Sequence, residues 1–359
     1  MLLVNNAGDW GHVFRPLEHA EWNGCRAADL VFPFFLFIMG VAMAFSFGRR
    51  AAAEAGPPMS QVLRRVVLLS LLNAVLAVFA WGAFLGHFRF YGVLQRIAFC
   101  YLFASLIVLR TGALAQAFWA AGLLAFYALI LRFVPVPGRG PGTLEKFSNV
   151  VDYVDSKLML PLLYEIDKAA HIGHDPEGLL STCGAVATTL CGALCGRWLS
   201  APGRSAARKA LTMAVAGMLL LASGLVWGAV LPLNKNLWTP SYVLVTAGWA
   251  FLGLSSFYWL IDVRGVKAWA QPLIVYGSNA IAAYVGVGIM SYSVVWIRWQ
   301  DGPGHQIRLK TYLYQHLYQS WIPRYLGDRV SSAAWGATYV VLWWFLMRLL
   351  YRRRIFIKV

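Results

Sequence analysis

Long apolar stretches alternate with short polar connections along the whole chain. Windows of about 20 apolar residues, enough to cross a bilayer, occur at nine places: 28–48, 62–82, 92–109, 113–133, 178–198, 210–231, 238–261, 272–296 and 331–351. Met1–Val4 resembles the last turn of a further, truncated helix, so we expect a start codon further upstream. The pattern predicts an all-α polytopic membrane protein, with residues 1–359 forming one transmembrane domain.

The last long polar connection, residues 297–330, has a helical period of its own. Leu309, Leu313, Leu317 and Trp321 recur every four residues, with glutamines and a lysine between them. This spacing predicts an amphipathic helix that lies at the membrane surface.

Composition and charge support the membrane class. Hydrophobic residues make up 59% of the chain and charged ones 13%, against about 25% charged in soluble proteins. Basic residues concentrate in alternate connections and the C-terminal tail, and the positive-inside rule makes these cytoplasmic: Arg49, Arg50, Arg64, Arg65, Arg110, Arg197, Arg204, Arg208, Lys209, Arg264, Lys267, Arg352, Arg353, Arg354 and Lys358. Only Glu54 and Asp262 are acidic on that side. The net charge of +16 therefore reflects topology and contact with the lipid bilayer, and indicates no nucleic-acid partner.

The five cysteines predict neither a disulfide framework nor a metal site. Cys183, Cys191 and Cys195 lie on one stripe of one apolar stretch, as core packing requires, and no second ligand cluster accompanies them.

Ionisable groups collect at the opposite, extracytoplasmic end. His19 stands before the first apolar stretch. Because histidines as a class titrate near neutral pH, this residue is a candidate base or acyl acceptor. Arg96 lies one turn inside an apolar stretch, where an unpaired charge is costly, so we expect it to pair with Asp29 or an anionic ligand. Asp175, followed by Pro and Glu, is expected to cap a helix.

Several segments together carry a resemblance to a known family. HAEWNGCRAADLVFPFFLFIMG at 19–40, FYGVLQRIAFCYLFA at 90–104 and LPLNKNLWTPSYVLVTAG at 231–248 resemble the heparan-α-glucosaminide N-acetyltransferase family, including bacterial inner-membrane relatives of the NagX type. The likeness runs from Val4 to the last residue.

The resemblance implies transfer of acetyl from cytosolic acetyl-CoA to the amine of a glucosamine-type sugar on the extracytoplasmic side of a bacterial inner membrane. It implies that His19 is the catalytic residue and that Asn5 assists it. On this interpretation Asp29 orients His19 or holds Arg96. The expected substrate-binding residues are Trp22, Asn23, Arg96, Asn234, Lys235 and Trp238, with the two tryptophans as candidates for stacking on a sugar ring.

Two other functions stay open. An amino-sugar transporter would also place charged groups near one end of a bundle, although no internal repeat or pair of broken helices is visible. A membrane O-acyltransferase would act on polysaccharide hydroxyls instead of an amine. The sequence does not decide whether acetyl is transferred directly or through a covalent acetyl-histidine. It also leaves open the size of the acceptor and whether the protein forms a homodimer.

Overall fold

A computed structural model describes residues 1–52, 58–302 and 304–357. Glu54, Lys358 and the side chain of Arg50, which entered the predicted orientation, lie outside the described part. The described helices are α1 Ala27–Ala52, α2 Met59–Ala80, α3 Val93–Arg110, α4 Ala113–Phe133, α5 Val150–Met159, α6 Thr182–Ser200, α7 Ala206–Gly228, α8 Pro240–Tyr258, α9 Gln271–Ser278, α10 Ala280–Trp296, α11 Leu309–Tyr314, α12 Ile322–Leu326 and α13 Asp328–Arg352.

Short strands occur only in the connections of the part described. They form three antiparallel pairs: β1 Pro135–Val136 with β2 Gly140–Pro141, β3 Glu165–Asp167 with β4 Ile172–His174, and β5 Arg298–Gln300 with β6 Gln306–Arg308. The chain is thus an all-α polytopic membrane protein, as its apolar pattern predicts.

The helices do not settle how many times the chain crosses the membrane, for which the sequence predicts nine spans. Among the described residues, seven helices are long and apolar enough to cross a membrane, or eight if α9 and α10, bent by 68° at their junction, form one span. The remaining predicted stretch, 178–198, corresponds to α6. This helix is rich in Gly, Thr and Cys and is buried among other helices along most of its length, so it needs less hydrophobicity than a lipid-facing helix.

Helix α6 packs against α1 through glycines. A Cβ at Gly40 would fall 2.0 Å from the Thr189 carbonyl oxygen, and one at Gly192 would fall 1.9 Å from that of Phe37. Small residues at such contacts let two backbones approach closely, which is a common source of helix association in membranes. We call Gly40, Gly192 and Gly196 the glycine seam.

The amphipathic segment is helical but not continuous. Helix α11 continues through a π-helical turn, Gln315–Gln319, and Trp321 then separates it from α12. The inward side chain is Tyr314, which packs against Trp335, whereas Leu317 and Trp321 are both more than half exposed. The predicted stripe is therefore split, and its second half faces outward.

Candidate active site

The mouth of α1 brings His19 and Asp29 together. The Nδ1 atom of His19 lies 2.8 Å from Oδ1 of Asp29, whose side chain is fully buried, while 41% of the His19 side chain is exposed. Because the carboxylate can only accept a hydrogen bond, we assign the ring proton to Nδ1, which leaves Nε2 free to act as a base or nucleophile. Of the two contacts predicted for Asp29, the structure thus contains the one with His19, and the role of Asp29 in orienting His19 for chemistry stays a prediction.

Asp29 is itself fixed by the start of its helix. Its Oδ2 atom accepts hydrogen bonds from the backbone N–H groups of Ala20 at 3.0 Å and Arg26 at 2.9 Å. Its carbonyl oxygen accepts one from the Tyr242 hydroxyl at 2.6 Å. The carboxylate therefore closes the turn that carries His19 onto the first turn of α1, so the imidazole cannot move independently of the helix.

Lys235 completes the group. Its Nζ lies 3.0 Å from Nδ1 and 3.4 Å from Nε2 of His19, and 3.4 Å from Oδ1 of Asp29. The similar distances to both ring nitrogens place the ammonium over the imidazole instead of in line with one nitrogen. A donor at this position can stabilise negative charge that develops beside Nε2.

Two predicted substrate-binding residues hold the loops of the site together. Asn23 and Asn234 form an isolated backbone bridge, and the amide of Asn234 donates to Oδ1 of Asn23 at 3.2 Å. The side-chain oxygen of Asn234 also accepts from the Leu237 N–H at 2.8 Å. The contacts of Asn234 thus go to protein groups, and they set the distance between Lys235 and His19.

The expected Asp29–Arg96 pair is wrong. Arg96 is fully buried, and its Nη2 atom donates to the Gly178 carbonyl at 2.9 Å and to the Ser181 hydroxyl. Its Nε and Nη1 atoms have no hydrogen-bond partner among the described residues. Asp29 does not reach it, because the carboxylate is already taken by the His19 turn.

Both tryptophans predicted to stack on a sugar are engaged in the fold. Trp238 is 1% exposed, and the guanidinium of Arg96 lies 5.0 Å from its ring centroid. Trp22 donates to the Leu144 carbonyl at 3.0 Å, and its ring meets the edge of His174 at 5.2 Å. Trp238 in particular offers no open face, because it lies in the core beneath the site.

A network of opposite charges lies beside this site. Arg89 donates to both carboxylate oxygens of Asp175, at 2.9 and 2.6 Å, and to Oε2 of Glu177. The predicted capping role of Asp175 is therefore wrong: α6 begins seven residues later, at Thr182, because Arg89 holds the carboxylate in the preceding loop.

Asn5 lines a polar cavity at the same end of the bundle as His19. Its side chain is exposed and lines a cavity together with Asn73, Glu177, Tyr284 and Tyr292. Within the described residues, no hydrogen bond joins it to His19. The role of Asn5 as an assistant of His19 stays a prediction.

Sequence reasoning missed the tyrosines of this cavity. Tyr284 and Tyr292 lie eight residues apart on α10, a spacing that places them on the same side of a helix two turns apart. The signal was present, but tyrosines near helix ends are also typical of membrane interfaces.

Comparison with known proteins gives a consistent picture. Residues 10–144 match the family model described as heparan-alpha-glucosaminide N-acetyltransferase, catalytic. Heparan-alpha-glucosaminide N-acetyltransferase of Homo sapiens is 27% identical over 419 residues, covering 100% of this chain and 58% of the human protein. The protein of the same name from Mus musculus is 27% identical over 346 residues, covering 80% of this chain and 51% of the mouse protein.

The chain thus spans a little over half the length of these relatives. The segment matched by the family model contains His19, Asp29 and Arg96, and the similarity to the human protein continues through Lys235 to the rest of the chain. The resemblance predicted from the sequence is confirmed: the chain is similar to heparan-alpha-glucosaminide N-acetyltransferases, along its full length in the case of the human protein.

Proposed function

We propose that this protein is a membrane acetyltransferase that moves acetyl from acetyl-CoA to the amine of a glucosamine-type sugar. The observation that carries the proposal is the half-exposed His19, oriented by the buried Asp29 and covered by Lys235. The relationship to named N-acetyltransferases supports the same chemistry.

The geometry is compatible with two routes. As a general base, Nε2 of His19 would take the proton of the amine while the amine attacks the thioester carbonyl and the CoA thiolate leaves. As a nucleophile, Nε2 would attack the carbonyl itself and expel the thiolate. The amine would then displace the imidazole from the acetyl group, and its proton would pass to the released Nε2. In both routes Lys235 would stabilise the oxyanion or protonate the thiolate, and Asp29 would keep Nε2 directed outward.

A basic cavity at the opposite end of the bundle suits the donor. About 590 Å³ in volume, it is lined by Arg110, Thr111, Arg197 and Ser200 among others. Guanidinium groups match the geometry of phosphate oxygens. We therefore assign the nucleotide phosphates of acetyl-CoA to this cavity.

An apolar crevice could lead from this cavity toward the site. It measures about 610 Å³, shares Arg110 and Thr111 with the basic cavity, and ends at Leu179 and Leu180, next to the backbone carbonyl that Arg96 binds. Helix α3, whose 18 residues rise about 27 Å, separates Arg110 from the His19 end. We propose that the pantetheine arm lies along this crevice, with the arginine end cytoplasmic, in a bacterial inner membrane.

The test is acetyl transfer by purified native protein, His19→Ala and Asp29→Asn, with labelled acetyl-CoA and glucosamine. Because general acid–base catalysis contributes about 10²- to 10⁴-fold, we expect both variants to lose at least about 100-fold in rate. His305→Ala, in an exposed loop, is the control and should keep the native rate.

Three outcomes would contradict the proposal. Native rates in His19→Ala would remove its central residue. Labelled product from N-acetylglucosamine, which has no free amine, would favour O-acylation. Uptake of glucosamine into proteoliposomes without acetyl-CoA, with no transfer by native protein, would favour a transporter.

A further inference from the structure

A second polar cleft opens at the same end of the bundle as His19. It has a volume of about 190 Å³, which corresponds to roughly six water molecules at about 30 Å³ each, the order of size of one hexose ring. Helices α2 and α10 and the loops at 89–92, 164 and 177 form its walls. We call it the tyrosine cleft because three tyrosines line it. Its principal polar residues are Asn5, Asn73, Tyr164, Glu177, Tyr284 and Tyr292.

Most of the polar groups in the tyrosine cleft are free to bind a ligand. Within the described residues, no hydrogen bond engages the hydroxyls of Tyr164, Tyr284 and Tyr292. Asn73 donates to the Phe90 carbonyl at 2.9 Å, and its side-chain oxygen has no protein partner in the same part of the chain. The three tyrosine side chains are half-buried, and their hydroxyls line the cleft, so this lining suits a ligand that carries several hydroxyls.

The charge of the cleft suits an amine. Burial raises the pKa of Glu177, but Arg89, Arg96 and Lys235 outweigh this effect and lower it overall, so the side chain is a carboxylate. Its Oε2 atom binds Arg89, and Oε1 has no hydrogen bond within the described residues. Arg89 is already held by two carboxylates and stacks 4.6 Å from the centroid of Tyr164. The cleft thus offers a free carboxylate oxygen of Glu177 for an amine. The positive charge of Arg89 is already paired with the carboxylates of Asp175 and Glu177.

The cleft also lies at the end of the bundle that carries the reacting groups. Glu177 precedes Gly178, whose carbonyl oxygen accepts a hydrogen bond from Arg96 at 2.9 Å. The Arg96 guanidinium lies 5.0 Å from the ring centroid of Trp238, three residues after Lys235. A sugar ring among the tyrosines, with its amine at Glu177, would then lie at the same end of the bundle as His19.

We infer that the tyrosine cleft is the acceptor subsite, with Tyr164, Tyr284 and Tyr292 binding the ring and its hydroxyls. Glu177 attracts the ammonium form of the amino sugar and selects it over neutral sugars. The bound ammonium releases one proton to solvent before it attacks, and its second proton goes to His19 as in the proposed function. The reaction of the bound amine rests on the proposed function, whereas binding of the sugar can be measured without it.

The experiment measures KM for glucosamine and for acetyl-CoA, together with glucosamine binding by calorimetry, in native protein, Tyr292→Phe and Glu177→Gln. Tyr292→Phe keeps the ring that contacts Phe84 at 5.6 Å and removes only the hydroxyl. We expect it to weaken glucosamine binding roughly 2- to 10-fold. Glu177→Gln should weaken it roughly 10-fold or more, since it loses a charged partner. KM for acetyl-CoA should not change in either variant.

Tyr325→Phe, in α12 and 73% exposed, is the matched control. If Glu177→Gln fails to fold once Arg89 has lost one of its partners, Tyr292→Phe alone decides. Unchanged glucosamine binding in Tyr292→Phe would overturn the inference, even with active enzyme. Weakened binding of glucosamine in a protein that transfers no acetyl would support the cleft and reject the proposed function.

Discussion

Asp155, on α5, is a carboxyl group that the fold has removed from water. Its side chain is 1% exposed, one oxygen accepts the Leu180 N–H at 3.2 Å, and the other has no partner among the described residues. Burial raises its pKa to about 7, and the nearby charges of Asp175 and Asp152 add to this effect, while the Leu180 N–H and Arg96 oppose it.

This pKa predicts a dependence of stability on pH. Between about pH 4, the ordinary pKa of an aspartate, and pH 7, the unfolded chain has released the Asp155 proton while the folded chain keeps it. The group therefore lowers the free energy of unfolding as pH rises through this window, by at most about 1.4 kcal/mol per pH unit, and adds no slope above it.

Asp155→Asn should remove that slope and raise the unfolding midpoint near pH 8, relative to native protein. The measurement is thermal unfolding in detergent from pH 4 to 8. Asp301→Asn, at an exposed position, should follow the native curve. A native-like slope in Asp155→Asn would show that another group carries the dependence.

The residues of the site were predictable to the extent that their contacts are local. His19 and Asp29 are ten residues apart, so their pairing follows from the turn that begins α1. Lys235 contacts His19 from 216 residues away, and Arg96 binds Gly178 from 82 residues away. No spacing rule links such positions, which explains why Arg96 was assigned the wrong partner.

At the scale of the element, apolar length predicted where the helices lie but not how they bend or pack. Asn279 separates α9 from α10, and its side chain binds the backbone of Ile355 and Ile357 at 3.1 and 2.8 Å. This contact with the C-terminal segment holds the bend in place. A window of hydropathy cannot detect such a break, because the residues on both sides are apolar.

The glycine seam supplies the prediction at this scale. In Gly192→Ala the new Cβ would lie 1.9 Å from the Phe37 carbonyl oxygen, so α1 and α6 must separate. Overpacking of this kind costs about 1–3 kcal/mol, and we expect a lower unfolding midpoint and a slower acetyl transfer, because α1 carries Asp29.

Gly122→Ala is the matched control for the seam. Gly122 lies within α4, and no described atom other than its chain neighbours and its own helix backbone lies within 4 Å of an added Cβ. Alanine favours a helix by about 1 kcal/mol over glycine. Its midpoint should equal or exceed that of the native protein. Equal unfolding midpoints of the two variants would show that α1 and α6 can separate at the glycine seam without loss of stability.

At the scale of the whole molecule, the two ends of the bundle differ in chemistry. Arg110 and Arg197 line a basic cavity at one end, and His19, Lys235 and the tyrosine cleft lie at the other. The length of α3, about 27 Å, is close to the thickness of the hydrocarbon core, about 30 Å. Donor and acceptor should therefore bind from opposite sides of the membrane.

Sealed membrane vesicles of known orientation test this arrangement. With acetyl-CoA outside and glucosamine trapped inside, inside-out vesicles should form labelled product, because the predicted topology makes the arginine end cytoplasmic and therefore outward in these vesicles. Right-side-out vesicles should form it only after detergent opens them. Equal product in both sealed preparations would contradict the predicted sidedness.

The contact between His19 and Lys235 also has a consequence for how the protein is made. The two residues are 216 positions apart, so at about 5–20 residues per second the ribosome delivers the lysine roughly 10 to 40 seconds after the histidine. During that interval α1 enters the bilayer with Asp29 and His19 but without their cation or the clamp from Asn234. The nascent chain therefore holds an incomplete candidate site until the loop after α7 has been made, and a chain truncated before Lys235 would lack this contact.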